Sequence, residues 1–368
     1  MTRLSRTLRY LLCAWPAIAL LTACDSPSPP PAATALALAT ELVFYDWADD
    51  MPQSVLDDFT REYGVRVAYR TYESAEEAFD SLQAGQVYDL AVIESRLVPR
   101  LVREGLVAEL DHRNLPNFKN LAANFRDLAY DPGNRHSVPF NWGTTGLVVR
   151  TDLVAEPVTR WTDLWDPRYA GLAGLWLEMR RDVIALTLKS LGYSANSEHP
   201  EELEAALARL RALKPHVVRL EDVDPVDSAE ALSSGKVVIA MGFARDVLEG
   251  RKRNPDIGYV MPRDGALFWG DNFVIPAKSA DKYTAEALVD FLLRPDISAR
   301  IANENRYATP NEAALPLIDP AIRKDPVVFP SSEDMQRSEL VLPLSPEGER
   351  RYEDLWERFL KGTPVGEG

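Results

Sequence analysis

From residue 41 onward, short apolar segments alternate with amphipathic ones, and this alternation constrains the fold more than any other feature of the sequence. The segments ELVFYDW, VRVAYR and YDLAVI have the length and apolar content of strands. Between the first two, PQSVLDDFTREYG carries apolar residues at helical spacing and ends at Gly64, a common helix stop. Between the last two, SAEEAFDSLQAG begins with Ser74 and has Glu77 three residues later, the pattern of a capping box. Strands separated by helices predict the α/β class with a βαβ sheet.

A second series of the same kind begins near residue 146. GLVVR, GLAGLWL, KVVIAM and IGYVM have the character of strands, and RDVIALTLKSLG and PEELEAALARLRAL that of helices. The remainder is mostly helical and ends in a segment with Tyr352, Leu355, Trp356, Phe359 and Leu360 on one face. Two α/β units predict two lobes, with a ligand site between them and beside the carboxyl ends of the strands.

The first 23 residues differ from the rest of the chain. Arg3, Arg6 and Arg9 precede the apolar run YLLCAWPAIALLTA, and no acid interrupts them. A basic start followed by a short apolar segment and small residues is typical of a secretory signal, so residues 1–23 are predicted to be one. The sequence LLTAC at its end resembles the lipobox of bacterial lipoproteins, which makes Cys24 the predicted lipidation site. The alternative is ordinary cleavage after Ala23.

Residues 24–40 are predicted to form a flexible tether, because the stretch DSPSPPPAATALALAT is too poor in large side chains to build a core. Asp25, directly after the cysteine, resembles the inner-membrane retention signal of enteric bacteria. The predicted location is therefore the periplasm, with a lipid anchor in the inner membrane. Cys13 lies within the signal, so the mature chain is expected to have no disulfide.

The charge and the motifs argue against several classes of function. The chain of 368 residues has a net charge of -15 and no basic cluster, so no nucleic-acid partner is predicted. Its four histidines lack metal-ligand spacing, and no nucleophile elbow, phosphate loop or dinucleotide fingerprint occurs. The sequence therefore predicts no cofactor, no metal and no catalytic residues, and nothing in it supports an enzyme.

What remains is a recurring combination of aromatic rings and carboxylates near predicted strand ends. Such groups suit an elongated organic cation, since carboxylates hold ammonium groups and ring faces cover methylenes. Each group alone could equally be core packing or a surface feature, and the argument rests on their repetition. The candidates are Trp47 with Asp46, Asp49 and Asp50, Trp142 in PFNWGTTG, Trp176 with Glu178 and Asp182, Trp269 with Asp271, and Tyr307 in YATPN.

Several motifs together resemble one family. They include VFYDW, YDLAV, SVPFNWGTTGLVV, WTDLWDPRYAG, LKSLGYSAN, FWGDNFVIP and YATPNEAA, and they extend over nearly all of residues 41–361. These segments are similar to those of bacterial spermidine/putrescine-binding proteins, the solute receptors of polyamine ABC importers. The resemblance implies a two-lobed type II periplasmic-binding-protein fold with two hinge crossovers. It further implies an inner-membrane ABC permease as partner and a polyamine or related small organic cation as ligand.

The resemblance also implies a domain division and roles for individual residues. The first lobe is expected to comprise residues 41–144, the second 145–273, and the return to the first lobe, with the C-terminal helices, 274–368. Trp47 would form a wall of the pocket and Trp269 the main stacking ring. Asp271 would grip an amine, Tyr307 would line the pocket, and Asp182 would supply a second acid, with Glu178 beside it.

Some positions depart from the family pattern. Asp50 and Arg96 stand where the family has tyrosines, Met179 where it has an acid, and Phe243 where it has a tryptophan. An arginine in the pocket would repel a polycation unless an acid such as Asp50 or Glu94 pairs with it. Two alternatives therefore stay open beside a polyamine receptor. One is the same fold with another cation or zwitterion as ligand, or with a sensory role, and the other is an unrelated surface enzyme or structural lipoprotein.

Overall fold

The structure is a computed structural model that describes residues 37–48, 50–223 and 228–361. The predicted signal, Cys24 and residues 24–36 of the predicted tether lie outside the described residues. Within the described ranges, no helix is long and apolar enough to cross a membrane.

The strands and helices alternate through most of the chain, as the sequence predicts. The strands are β1 (Glu41–Trp47), β2 (Arg66–Tyr72), β3 (Leu90–Glu94), β4 (Ser137–Arg150), β5 (Ala173–Leu175), β6 (Val217–Arg219), β7 (Ile239–Gly242), β8 (Ile257–Val260), β9 (Leu267–Val274) and β10 (Glu339–Leu340). The helices are α1 (Gln53–Tyr63), α2 (Ala75–Gln83), α3 (Val98–Arg103), α4 (Arg180–Ser190), α5 (Pro200–Leu213), α6 (Ala229–Ser233), α7 (Ala244–Arg253), α8 (Lys282–Leu292), α9 (Pro295–Asn305), α10 (Pro320–Arg323), α11 (Ser332–Arg337) and α12 (Pro346–Lys361).

Two predicted helix ends have the expected geometry. Ser74 caps α2, because its hydroxyl oxygen accepts a hydrogen bond from the backbone N–H of Glu77 at 3.1 Å. Gly64 ends α1 with φ of 70°, a left-handed conformation that glycine adopts without a steric penalty.

The strands pair in the order β2-β1-β3-β9-β4-β7-β5-β6, with β8 also on β4 and β10 also on β9. Strand β4 connects two distinct parts of this arrangement. Its residues up to Thr145 pair with β9, and those from Gly146 onward pair with β7 and β8. We call the part with β1, β2, β3 and β9 the first lobe and the part with β5 to β8 the second lobe.

Each lobe has its own apolar core. The core of the first lobe joins β1, β3 and β9 to helices α1, α8 and α9, with a smaller cluster under α2 and α3. The core of the second lobe joins β4, β5 and β7 to α4, α5 and α7. This separation agrees with the two α/β series of the sequence.

The expected residue boundaries of the lobes differ from these contacts in two places. Strand β9, expected within the second lobe up to residue 273, is hydrogen-bonded between β3 and β4 in the first. Helix α12, expected with the first lobe, buries Tyr352, Leu355 and Phe359 in the core of the second, against α4 and α5. An amphipathic helix can cover either core, so its sequence alone does not decide which one it joins.

Candidate functional site

A cavity of about 160 Å³ opens near the strand ends, lined by residues of both lobes. Most of the ring and carboxylate candidates predicted from the sequence line this cavity, whereas Asp46 and Trp142 do not. Asp49, like the predicted lipidation site Cys24, lies outside the described residues. The roles of the lining residues toward a ligand stay predictions. The predicted residues that line the cavity are Trp47, Asp50, Glu94, Arg96, Trp176, Glu178, Asp182, Phe243, Trp269, Asp271 and Tyr307.

Asp271 sits in the middle of the sheet, because β9 lies between β3 and β4. It is opposite Glu94 on β3 and opposite Asn141 on β4. Side chains directly opposite each other on neighbouring antiparallel strands have Cβ atoms about 5 Å apart. The fold therefore holds two carboxylates side by side, an arrangement that is unfavourable when both are charged and nothing positive lies between them.

The Asp271 side chain is 4% exposed, and its Oδ1 atom has no hydrogen-bond partner among the described residues. Burial, followed by the charges of Glu94 and Asp50, raises the pKa of Asp271 well above its usual range. The indole N–H of Trp47 lies near enough to lower that pKa somewhat, but the two groups do not meet normal hydrogen-bond geometry. A buried carboxylate of this kind is stabilised by any cation that enters the cavity.

Trp269 lies two residues before Asp271 on the same face of β9, and three other residues fix its ring. Gly143 is opposite it on β4, and a Cβ atom at Gly143 would lie 2.5 Å from the indole Cζ2 atom. The rings of Tyr307 and Phe243 meet the indole edge-to-face, with centroids 5.2 and 6.0 Å away. The indole N–H has no hydrogen-bond partner among the described residues, so the ring is held by packing alone.

The end of β1 adds a ring and two further acids. Trp47 packs on Tyr72, the last residue of β2, with ring centroids 4.6 Å apart. Asp46 is fully buried and accepts hydrogen bonds from the Trp47 backbone N–H and the Tyr69 hydroxyl. The bond from Tyr69 connects the end of β1 to β2. Asp50, which lines the cavity, accepts a hydrogen bond from the Asn141 amide at 3.1 Å.

Arg96 is paired, as the sequence predicts for an arginine in such a pocket. Its Nε atom donates to Glu94 at 2.5 Å, and its Nη2 atom donates to Glu76 at 3.3 Å. Burial alone would lower the pKa of Arg96, but the charges of Glu94 and Glu76 raise it. The guanidinium therefore remains a permanent positive charge in the wall of the cavity.

Asp182, in the first turn of α4, lies close to this group. Burial and then the charge of Glu94 raise its pKa to about 7, although Arg96 and Arg181 oppose that shift. Its Oδ2 atom accepts a hydrogen bond from the Thr145 hydroxyl at 3.3 Å. Glu178 is exposed, and Phe243 occupies the residue position directly before α7.

Several lining residues were not among the predicted set. They come from the end of β2, from the segment after it and from the first turns of α4 and α7. Because carboxyl ends of parallel strands meet at one edge of a sheet, the YESAEE segment after β2 could have been included on that ground. With them, eight carboxylates and three arginines line the cavity, which favours a cationic ligand. The additional residues include Tyr72, Glu73, Glu76, Arg181, Arg245 and Asp246.

The two lobes and the cleft between them define a class, the type II periplasmic-binding-protein fold. Residues 54–330 match the family model of bacterial extracellular solute-binding proteins. The chain belongs to this family.

Relatives of known function share most of the chain. It is 36% identical to the spermidine/putrescine-binding periplasmic protein of Escherichia coli over 301 residues, which cover 81% of this chain and 85% of that protein. It is 32% identical to a putrescine/agmatine-binding protein of Pseudomonas aeruginosa over 349 residues, 90% of this chain and 94% of that one. The solved structure of a spermidine/putrescine ABC transporter substrate-binding protein from Streptococcus pneumoniae matches with a TM-score of 0.74 and 30% identity. That match covers 88% of this chain and 99% of that one.

Proposed function

We propose that this protein is an extracytoplasmic receptor that binds a polyamine and delivers it to an ABC importer, without enzymatic activity of its own. The observation that carries the proposal is the pairing of Trp269 with Asp271 on one strand face. The acid has a buried oxygen atom with no hydrogen-bond partner in the part of the chain that the structure describes, and the ring lines the same cavity.

This pairing fits the chemistry of an aliphatic ammonium ion. A charge-assisted hydrogen bond to a buried carboxylate contributes about 1.5–3 kcal/mol. A desolvated cation over an aromatic ring adds about 2 kcal/mol. The names of the relatives support the same ligand class, since they include spermidine, putrescine and agmatine.

The location and partners extend the proposal. The receptor would act in the periplasm, held to the inner membrane by lipid on Cys24, and would hand its ligand to a membrane permease. The relatives named as periplasmic proteins support the compartment. The LLTAC sequence supports the anchor.

The test is isothermal calorimetry of the purified mature protein with putrescine, spermidine, spermine and agmatine. We expect at least one of them to bind in the micromolar range or tighter, about -8 kcal/mol or more favourable. Glutamate and maltose serve as anionic and neutral controls. Binding of a control solute without binding of any amine would refute the polyamine assignment.

A further inference from the structure

Arg96 places a positive charge of the protein in the cavity that, under the proposed function, binds a cationic ligand. Its side chain is 12% exposed and contacts two carboxylates, Glu94 on β3 and Glu76 on α2. Both of these acids line the cavity, as Arg96 itself does. Part of the negative charge that could bind a ligand is therefore already neutralised.

The guanidinium is fixed in this position from both sides. Glu76, the ion-pair partner of Arg96, also forms an ion pair with Arg180 of α4, whose Nε atom is 3.4 Å from the Glu76 Oε1 atom. These contacts form a chain of ion pairs that runs from Glu94 to Arg96, Glu76 and Arg180. The chain connects the first lobe with the second. Rotation of Arg96 out of the cavity would break both of its ion pairs.

Two of the remaining carboxylates come from different lobes. Asp271 is directly opposite Glu94 on β9 and has an oxygen atom without a hydrogen-bond partner among the described residues. Asp182 belongs to the first turn of α4, in the second lobe. Arg96 lowers the pKa of both acids, but it is the largest of the opposing charges at Asp182 and the weakest of the named causes at Asp271. An ammonium beside Asp182 therefore meets more of the positive charge of Arg96 than an ammonium beside Asp271 does.

We infer that Arg96 determines specificity: it takes the place of one ligand ammonium beside Glu94, so that the cavity accepts a diamine in preference to a triamine. The inference rests on the proposed function and narrows its ligand class. A diamine, which carries two ammonium groups, places one of them beside Asp271 and its methylenes along Trp269. A third ammonium at the Asp182 end is repelled by the guanidinium.

The test compares putrescine with spermidine by calorimetry on the mature protein and on three variants. In the wild type, putrescine binds more tightly. In Arg96→Gln, the ratio of spermidine affinity to putrescine affinity rises tenfold or more. In Arg96→Lys, which keeps the charge, the ratio stays within about threefold of the wild type. The matched control is Arg100→Gln, since Arg100 also pairs with a glutamate, Glu104 at 2.9 Å, but does not line the cavity.

A second measurement needs no variant, in case loss of Arg96 impairs folding. N-butylputrescine has nearly the length of spermidine, but a methyl group replaces its third ammonium. The wild type is expected to bind it at least tenfold more tightly than spermidine, because only the repelled charge is missing.

Three results would overturn the inference. They are a wild-type preference for spermidine, an equal change of the ratio in the Gln and Lys variants, and an unchanged ratio in folded Arg96→Gln. In each case the amines still bind. A wild type that binds neither amine would instead refute the proposed function.

Discussion

Asp271 and Glu94 face each other directly across the antiparallel pairing of β9 with β3. Glu94 is neutralised by Arg96, whereas Asp271 keeps a buried oxygen atom without a partner among the described residues. Two adjacent carboxylates thus have different environments, and the difference predicts what each contributes to binding and to stability.

Replacement of Asp271 by asparagine is expected to weaken polyamine binding by about 2–5 kcal/mol, as for removal of one partner of a buried charge pair. It should not destabilise the ligand-free protein. The raised pKa means that the folded state resists ionisation of Asp271, so its contribution to the free energy of unfolding falls as pH rises above its ordinary value of 3.8. Calorimetry and thermal unfolding at pH 7.5 check both parts. An Asp271→Asn variant that unfolds easily but binds normally would show that Asp271 has a structural role.

Gly143→Ala is expected to weaken binding without touching the ligand. The added methyl group would lie 2.5 Å from the Trp269 ring, and the ring would have to move. A loss of roughly tenfold in affinity, about 1.4 kcal/mol, is expected if stacking on Trp269 supports binding. The ligand-induced change in tryptophan emission should shrink in parallel. Unchanged affinity together with a displaced ring would argue against a stacking role.

Binding should depend on pH near neutrality because of Asp182. Its pKa is about 7 in the folded protein, against an ordinary value of 3.8, so the empty cavity holds a proton there at pH 6. A ligand cation in the same cavity favours the carboxylate form of Asp182 even when its ammonium lies beside Asp271, so binding releases part of this proton. Affinity should therefore rise with pH up to about 7, by at most about tenfold per pH unit for each proton displaced.

Calorimetry in two buffers of different ionisation enthalpy measures that release. Asp182→Asn should reduce it and flatten the profile near pH 7, leaving any part due to Asp271. The same group lowers the free energy of unfolding of the empty protein as pH rises from about 4 to 7, because the folded form binds the additional proton. Identical pH profiles for wild type and Asp182→Asn would contradict this account.

Ligand is expected to make the protein more compact. Glu76 of the first lobe and Arg180 of the second are 3.4 Å apart, so an ion pair joins the two lobes beside the cavity. Small-angle scattering should show a smaller radius of gyration with saturating ligand, because the closed form gains contacts from both lobes. Arg180→Gln should lessen the compaction slightly, since partly exposed ion pairs contribute at most about 1 kcal/mol. Proven binding with no change in radius would exclude a hinged cleft.

Cys24→Ala tests the proposed anchor. The variant should remain unprocessed or leave the membrane fraction, whereas the wild type should fractionate with membranes, because several acyl chains anchor a protein stably. Fractionation followed by mass spectrometry of the N-terminus distinguishes these outcomes. Wild-type processing of the variant would favour ordinary cleavage after Ala23.

The sequence was sufficient for the fold and, together with the family resemblance, for about half of the residues that line the cavity. Strands with regular apolar patterns end in aromatic rings and acids, which made those positions recognisable. It was not sufficient for the start of β4, where Pro139, Asn141 and Gly143 weaken the strand pattern and pairing with β9 overrides it. It also missed Glu76 and Arg181. These residues lie in the first turns of helices, where charged side chains are common for reasons unrelated to a ligand.

The position of α12 has a consequence for the order in which the protein is made. The core of the first lobe needs Ile297 and Ile301 from α9, and that of the second needs Leu355 and Phe359 from α12. Domains built from consecutive residues can fold one after the other as the chain emerges. Here the core of the first lobe is incomplete until α9 has been synthesised and that of the second until α12 has been, so each core waits for a helix far along the chain from its strands.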